Sequence, residues 1–380
     1  MRPKLIFLLW LSCQFTLCAQ DPATFLFSQQ GSLYNPALTG TNGSQAISLA
    51  YRQQWLQETD PGYHTALLSY EESLPCSILD FGINGLWDQE GAGLLTTYEI
   101  TPQVSANLTI IDSRDHQVNI RLGGGMSIGQ QRIDFDKLVF SDQLDFKYGN
   151  IFPTNFIAPE ENHQQGYFQP GIGFLVQMVL NKERYHAVII NAGASYHNAY
   201  AIGSKEGTGY GKSVLGLLPP ASPKWAAHAD FELIPGNSLK QVISIKPSFL
   251  YERQEGLRYM QLGLEFALNN VMQVGGYMHM NKWFAASTST NWYSVNTVFK
   301  PYIGKERIDF YLTYSFNVSG LRNAVSPLLE IGIKKHFRNS PVCNLIGKED
   351  EVFYSNKGRC PLYKVSAAHK KLYENVWYKN

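Results

Sequence analysis

Residues Ile308–Val318, "IDFYLTYSFNV", change character at every step. Ile308, Phe310, Leu312, Tyr314, Phe316 and Val318 are apolar, and Asp309, Tyr311, Thr313, Ser315 and Asn317 between them are mostly polar. A period of two belongs to a β-strand with two unlike faces. The same alternation runs along Met260–Leu268, Val118–Ile128 and Leu79–Asp88. Strands of soluble sandwiches are usually about five or six residues long, whereas a tilted strand needs about 9–11 to cross a bilayer. These runs approach the longer figure. Their polar faces carry Asp80, Arg121, Lys246, Glu265, His279 and Asp309, a mixture that suits the hydrated lumen of a membrane barrel.

Composition agrees. The 380 residues carry a formal net charge of +1, with Lys+Arg 32 against Asp+Glu 31, which gives no reason to expect a nucleic-acid partner. Aromatic residues make up 13% and charged residues only 17%, a balance that suits a β-protein with lipid on its outside. Arg2 and Lys4 precede an apolar run that ends near Cys18-Ala19, the pattern of a secretory signal peptide cleaved after Ala19. No later apolar run approaches the ~20 residues of a spanning helix, so a membrane form must be a barrel.

The expected fold is all-β, a transmembrane outer-membrane barrel of about 14 antiparallel strands. They are placed near 45–57, 63–74, 78–89, 93–107, 116–130, 167–181, 185–198, 223–234, 239–253, 256–269, 272–283, 289–301, 305–317 and 325–337. Connections after even strands are mostly tight and polar, such as Asn269-Asn270-Val271, and both long ones, 131–166 and 199–222, follow odd strands. Outer-membrane barrels show this asymmetry, with short periplasmic turns and long external loops. The domains follow: signal peptide 1–19, periplasmic lead-in 20–44, barrel 45–337 and a short periplasmic C-terminal extension 338–380.

Chemical motifs are thin. Glu206–Ser213, "EGTGYGKS", ends like a phosphate-binding loop but lacks the first glycine and runs into Pro219-Pro220, which forbids the helix such a loop requires. His279 reads as a hydrogen-bonded lumen residue, and the residues give no basis for an enzyme, a cofactor or a metal site. After the signal peptide the cysteines are Cys76, Cys343 and Cys360, all on the periplasmic side. Three thiols allow three single pairings. The short loop between Cys343 and Cys360 favours that pair, while a Cys76 bridge would staple the tail to the barrel rim.

The long connection 131–166 is the candidate contact surface. Phe135, Leu138, Val139, Phe140, Leu144 and Phe146 crowd a segment that should otherwise face water. Apolar groups at that density must be covered, by the barrel mouth or by another protein. Asp134, Asp136, Lys137, Asp142 and Asp145 would form a polar rim around them.

Several stretches resemble one family. These are Phe27-Ser28-Gln29, then Leu33-Tyr34-Asn35-Pro36-Ala37-Leu38-Thr39-Gly40, then Tyr51-Arg52-Gln53-Gln54-Trp55. "DKLVFSDQLD" at 136–145, "SFNVSGLRN" at 315–323 and "LEIGIKKHF" at 329–337 follow in order. Together they resemble the PorP/SprF family linked to type IX secretion, over about residues 20–337. Cys360-Pro361 is similar to a pair near the end of that family; the extension after it has no match. The resemblance implies a barrel that serves export or surface attachment. The implied partner is an exported surface protein, often an adhesin, with a type B C-terminal sorting domain; periplasmic ring proteins of the secretion apparatus are further possible partners. A general diffusion porin is the alternative, and a barrel enzyme a more distant one.

Overall fold

The structure is a computed structural model. It describes residues 27–41, 45–55, 62–74, 78–91, 95–113, 115–157, 164–180, 188–198, 222–234, 237–238, 241–254, 257–268, 271–280, 292–303, 306–318 and 327–337. The signal peptide, the 205–213 region, all three cysteines and the C-terminal extension lie outside these residues.

Fourteen long strands form one closed antiparallel ring. In chain order they are β1 Ala46–Gln54, β2 Tyr63–Glu72, β3 Leu79–Glu90, β4 Leu95–Asp112, β5 His116–Arg132, β6 Gln164–Leu180 and β7 Val188–His197. The second half comprises β8 Lys224–Leu233, β9 Gln241–Gln254, β10 Leu257–Leu268, β11 Met272–Met280, β12 Trp292–Phe299, β13 Glu306–Asn317 and β14 Leu328–His336. Each pairs with its neighbours in sequence, and β14 returns to β1 with Ala46 opposite His336 and Gln53 opposite Leu329. A closed ring pairs each strand on both sides where it crosses lipid, which lipid demands.

Burial is inverted relative to a soluble protein. Along β13, Asp309, Tyr311, Thr313, Ser315 and Asn317 are buried, while Phe310, Leu312, Tyr314 and Phe316 are exposed. Arg121, Glu330 and Asn119 are among the most deeply buried side chains, and Leu68, Ile100 and Ile172 stand more than half exposed on the outer face. The chain is an outer-membrane β-barrel whose apolar surface meets lipid.

Strand lengths are uneven. β4, β5 and β6 have 18, 17 and 17 residues, well beyond the about 9–11 that span a bilayer. Pairing of β5 with β6 continues to Arg132 opposite Gln164, but β7 leaves β6 at Gly171. The β4–β5–β6 wall therefore stands above its neighbour, and residues 133–157 continue from the top of β5.

Candidate functional site

The lumen is not simply hydrated. Residues 27–41, expected within a periplasmic lead-in, lie inside the barrel. The segment makes a single α-turn at Gly31–Tyr34 and a 3-10 turn at Pro36–Leu38. Tyr34, Asn35, Ala37 and Thr39 are all buried. Its sequence suits the shape. The Asn35 side chain accepts from the Ala37 amide at 2.9 Å and so caps the 3-10 turn, and Pro36 takes the first position, where a missing N–H costs nothing. Gly40 then turns the chain with φ +76, and a Cβ there would lie 2.5 Å from Cβ of Asp80.

Three strand glycines make room for the turn. A Cβ on Gly123 of β5 would come within 2.2 Å of the Ala37 nitrogen. One on Gly173 of β6, directly opposite Gly123, would reach 1.9 Å from Asn35 Oδ1. At Gly193 of β7 it would meet the Phe174 carbonyl at 2.7 Å and Asn35 Nδ2 at 2.8 Å. The absent side chains leave a seat in the inner wall. Asn35 Nδ2 fills it, donating to the Phe174 and Ala194 carbonyls at 3.0 and 3.4 Å and lying 2.9 Å from His228 Nε2.

Buried irregular backbone needs hydrogen-bond partners, and here the wall's side chains supply them. Arg121 donates from Nε to the Ala37 carbonyl at 3.0 Å and from Nη2 to that of Thr39. The same Nη2 meets Asp80 Oδ2 at 2.6 Å, and Ser105 donates to the Thr39 carbonyl at 2.8 Å. Gln103 Nε2 donates to the Ser32 carbonyl at 3.0 Å; Ser195 donates to that of Tyr34, which also lies 2.8 Å from His197 Nε2. Across the barrel Lys334 Nζ reaches the Gln29 carbonyl at 3.2 Å, Gln30 donates to the Tyr311 hydroxyl at 2.8 Å, and Ser28 donates to Glu265 at 3.3 Å. Leu33 packs against Ala50, Leu67, Val298 and Tyr311, while Phe27 and Tyr34 pack with Leu250. The segment thus spans the cross-section. The charges expected to face water in the lumen instead hold chain: Asp80 and Arg121 pair beneath Thr39, and Glu265 also accepts from Tyr277, Gln273 and Asn296.

Above this floor a cleft opens toward the end that bears the long connections, with Leu33, Asn84, Glu99, Gln169, His197 and Lys224 among its lining. His279 sits in the wall with Ser294 at 2.6 Å and Tyr259 at 2.7 Å, a hydrogen-bonded interior position.

The second feature is the lobe of residues 133–157. Two 3-10 turns, Phe135–Lys137 and Ser141–Gln143, lead into a short pairing of Leu144–Asp145 with Gly149–Asn150. Asp142 ties the lobe together, accepting from the Asn155 amide at 2.6 Å and the Thr154 hydroxyl at 3.1 Å. The Asn155 N–H, chief among these donors, holds its carboxyl below the usual carboxylate range. Phe135 and Phe140 flank Phe156 with ring centroids 5.5 and 4.5 Å away, so these two make the lobe's own small core. Val139 and Leu144 are more than half exposed and Phe146 is fully so, joined by Tyr148, Ile151 and Ile157; Leu138 is half-buried. Of the six apolar candidates, Val139, Leu144 and Phe146 face outward. Cys343 and Cys360 cannot be placed, being outside the described residues.

Sequence reasoning missed the lumenal role of 27–41. Two signals could have found it: a supposed periplasmic strand lead containing Phe27, Leu33, Tyr34 and Leu38, and glycines at inward positions 123, 173 and 193.

Solved structures are similar to the chain at low levels. The CymD monoaromatic hydrocarbon channel is 13% identical, covering 83% of this chain and 95% of its own, with a TM-score of 0.39. The Omp33 outer membrane protein of Acinetobacter baumannii is 8% identical over 77% of this chain and 98% of its own, TM-score 0.35. The P. putida toluene transporter TodX is 8% identical over 80% and 94%, TM-score 0.35. No curated protein matches the sequence. The family model described as type IX secretion system membrane protein PorP/SprF matches residues 17–334, a span that takes in the lumenal segment, the lobe and nearly the whole ring. The chain belongs to the PorP/SprF family of type IX secretion system membrane proteins.

Proposed function

We propose that this barrel of the type IX secretion system attaches an exported surface protein, one with a type B C-terminal sorting domain, through the lobe of residues 133–157. The observation that carries the reading is the set of outward apolar side chains Val139, Leu144 and Phe146 beside Asp134, Asp136, Lys137 and Asp145. An apolar centre with a charged rim is the anatomy of a protein interface, and outside the bilayer such a surface is unfavourable in water unless covered. The tall β4–β5–β6 wall supports the reading by raising this surface clear of the membrane. A lumen occupied by residues 27–41 speaks against the general-diffusion alternative. Periplasmic ring proteins are the proposed partners at the opposite end.

The test replaces Val139, Leu144 and Phe146 together with serine and follows surface display of the exported protein. Because Phe135 and Phe140 are spared, the lobe keeps its core. The expected result is a normal heat-modifiable barrel with display lost. Undiminished display would overturn the proposal.

A further inference from the structure

We propose that residues 27–41 are a tethered, displaceable stopper, and that the glycine-lined seat on the inner wall is a binding site for an Asn-Pro-Ala turn. The ring closes without this segment. It contributes no strand, and β1 is already paired on one side with β2 and on the other with β14.

The contacts are of a kind that can be exchanged for water. The wall grips mainly backbone carbonyls, those of Gln29, Ser32, Tyr34, Ala37 and Thr39, through Lys334, Gln103, Ser195 and Arg121. When the segment leaves, these donors line a polar pore that water can enter, and the freed carbonyls are hydrated in turn. A stopper packed wholly on leucines would strand apolar surface on both sides; this one strands Leu33, Leu38, Ala37 and the Phe27–Tyr34 pair, and its other wall contacts are polar.

The way out lies toward one end of the ring. Ser28 meets Glu265 near the end of β10 that bears a short connection. Gln29 meets Lys334 near the C-terminal end of β14, which lies on the same side of the ring beside the start of β1. Thr39 meets Ser105 and Arg121, toward that same end of β4 and β5. The apex, Ser32–Tyr34, reaches Gln103 at mid-height and Ser195 and His197 near the outer end of β7. The segment is therefore a loop inserted from one end, the periplasmic end by the usual loop asymmetry, and can withdraw without threading.

The seat can be blocked without touching the strand ladder. Gly123→Val with Gly173→Val places side chains where Ala37 and Asn35 now lie, at inward positions of strands that accept valine readily. In planar bilayers the full-length parent should give no steady current. The double variant, still heat-modifiable, should give a steady ohmic one. A second variant lacking residues 27–41 should conduct likewise, and a synthetic peptide of those residues should abolish its current. Three results would overturn the proposal: a parent that conducts as the variants do, a peptide without effect, or variants that no longer form a heat-modifiable barrel. None of these readouts depends on surface display, so this inference and the partner proposal can fail separately.

Discussion

Arg121 does two things at once. It neutralises Asp80 inside the barrel and holds the Ala37 and Thr39 carbonyls. Removing one member of a buried ion pair leaves the other uncompensated, at a cost of roughly 3–5 kcal/mol. Arg121→Met should lower stability by about that amount in urea titrations of the heat-modifiable form, and adding Asp80→Asn should recover part of it. A single-variant loss of under about 0.5 kcal/mol, typical of an indifferent surface site, would mean that the pair contributes nothing. Asp142 shows the opposite setting, an exposed carboxylate that organises backbone. Its pKa is depressed in the folded lobe, so its contribution is present above the unfolded value and is lost as pH falls through the folded one. Limited proteolysis should therefore cut within 133–157 faster under acid conditions, and Asp142→Ala should cut equally fast at neutral pH. Protection that is independent of both pH and this side chain would contradict the assignment.

Strands give a sharper contrast, because neighbouring residues face different solvents. On β10, Leu264 is exposed on the lipid face and Glu265 is buried on the inner one. Leu264→Arg should cost roughly 2–4 kcal/mol if it lies near the bilayer midplane. Glu265→Gln should cost about 1–3 kcal/mol, for a different reason: one of its oxygens, now an acceptor for Ser28, Tyr277, Asn296 or Gln273, becomes a donor. The two losses are separable by assay. The arginine should impair membrane insertion, whereas the glutamine should leave insertion intact and loosen residues 27–41, seen as faster proteolysis from the short-turn side. Equal insertion defects would mean that the faces are misassigned.

At the scale of the whole molecule, unboiled protein should migrate apart from boiled protein on a denaturing gel and fractionate with the outer membrane; recovery as a soluble periplasmic protein would end the barrel reading. The barrel was legible in the sequence because lipid enforces a period of two over each strand, as Ile308–Val318 shows. Which strands run long was less so: β4 extends to Asp112, past the expected 107, since nothing in Leu108–Ile111 marks where bilayer ends and water begins. What the inner wall faces was not legible because inward charges such as Asp80 and Glu265 look alike whether they meet water or chain; only geometry brings Gly40 beside one and Ser28 to the other. The exposure of Val139 beside the enclosure of Phe140 was invisible for the same reason, both being apolar residues of one loop. The seam between β1 and β14 has a bearing on biogenesis. It joins stretches nearly the whole chain apart, and pairings of such separation form slowly and late. Residues 27–41 precede β1 by only a few residues, and the Asn35 seat belongs to β5, β6 and β7, which pair locally and need no seam. A nascent chain can thus berth residues 27–41 on a half-built sheet, and that mooring would hold β1 at the mouth of the gap that β14 must fill.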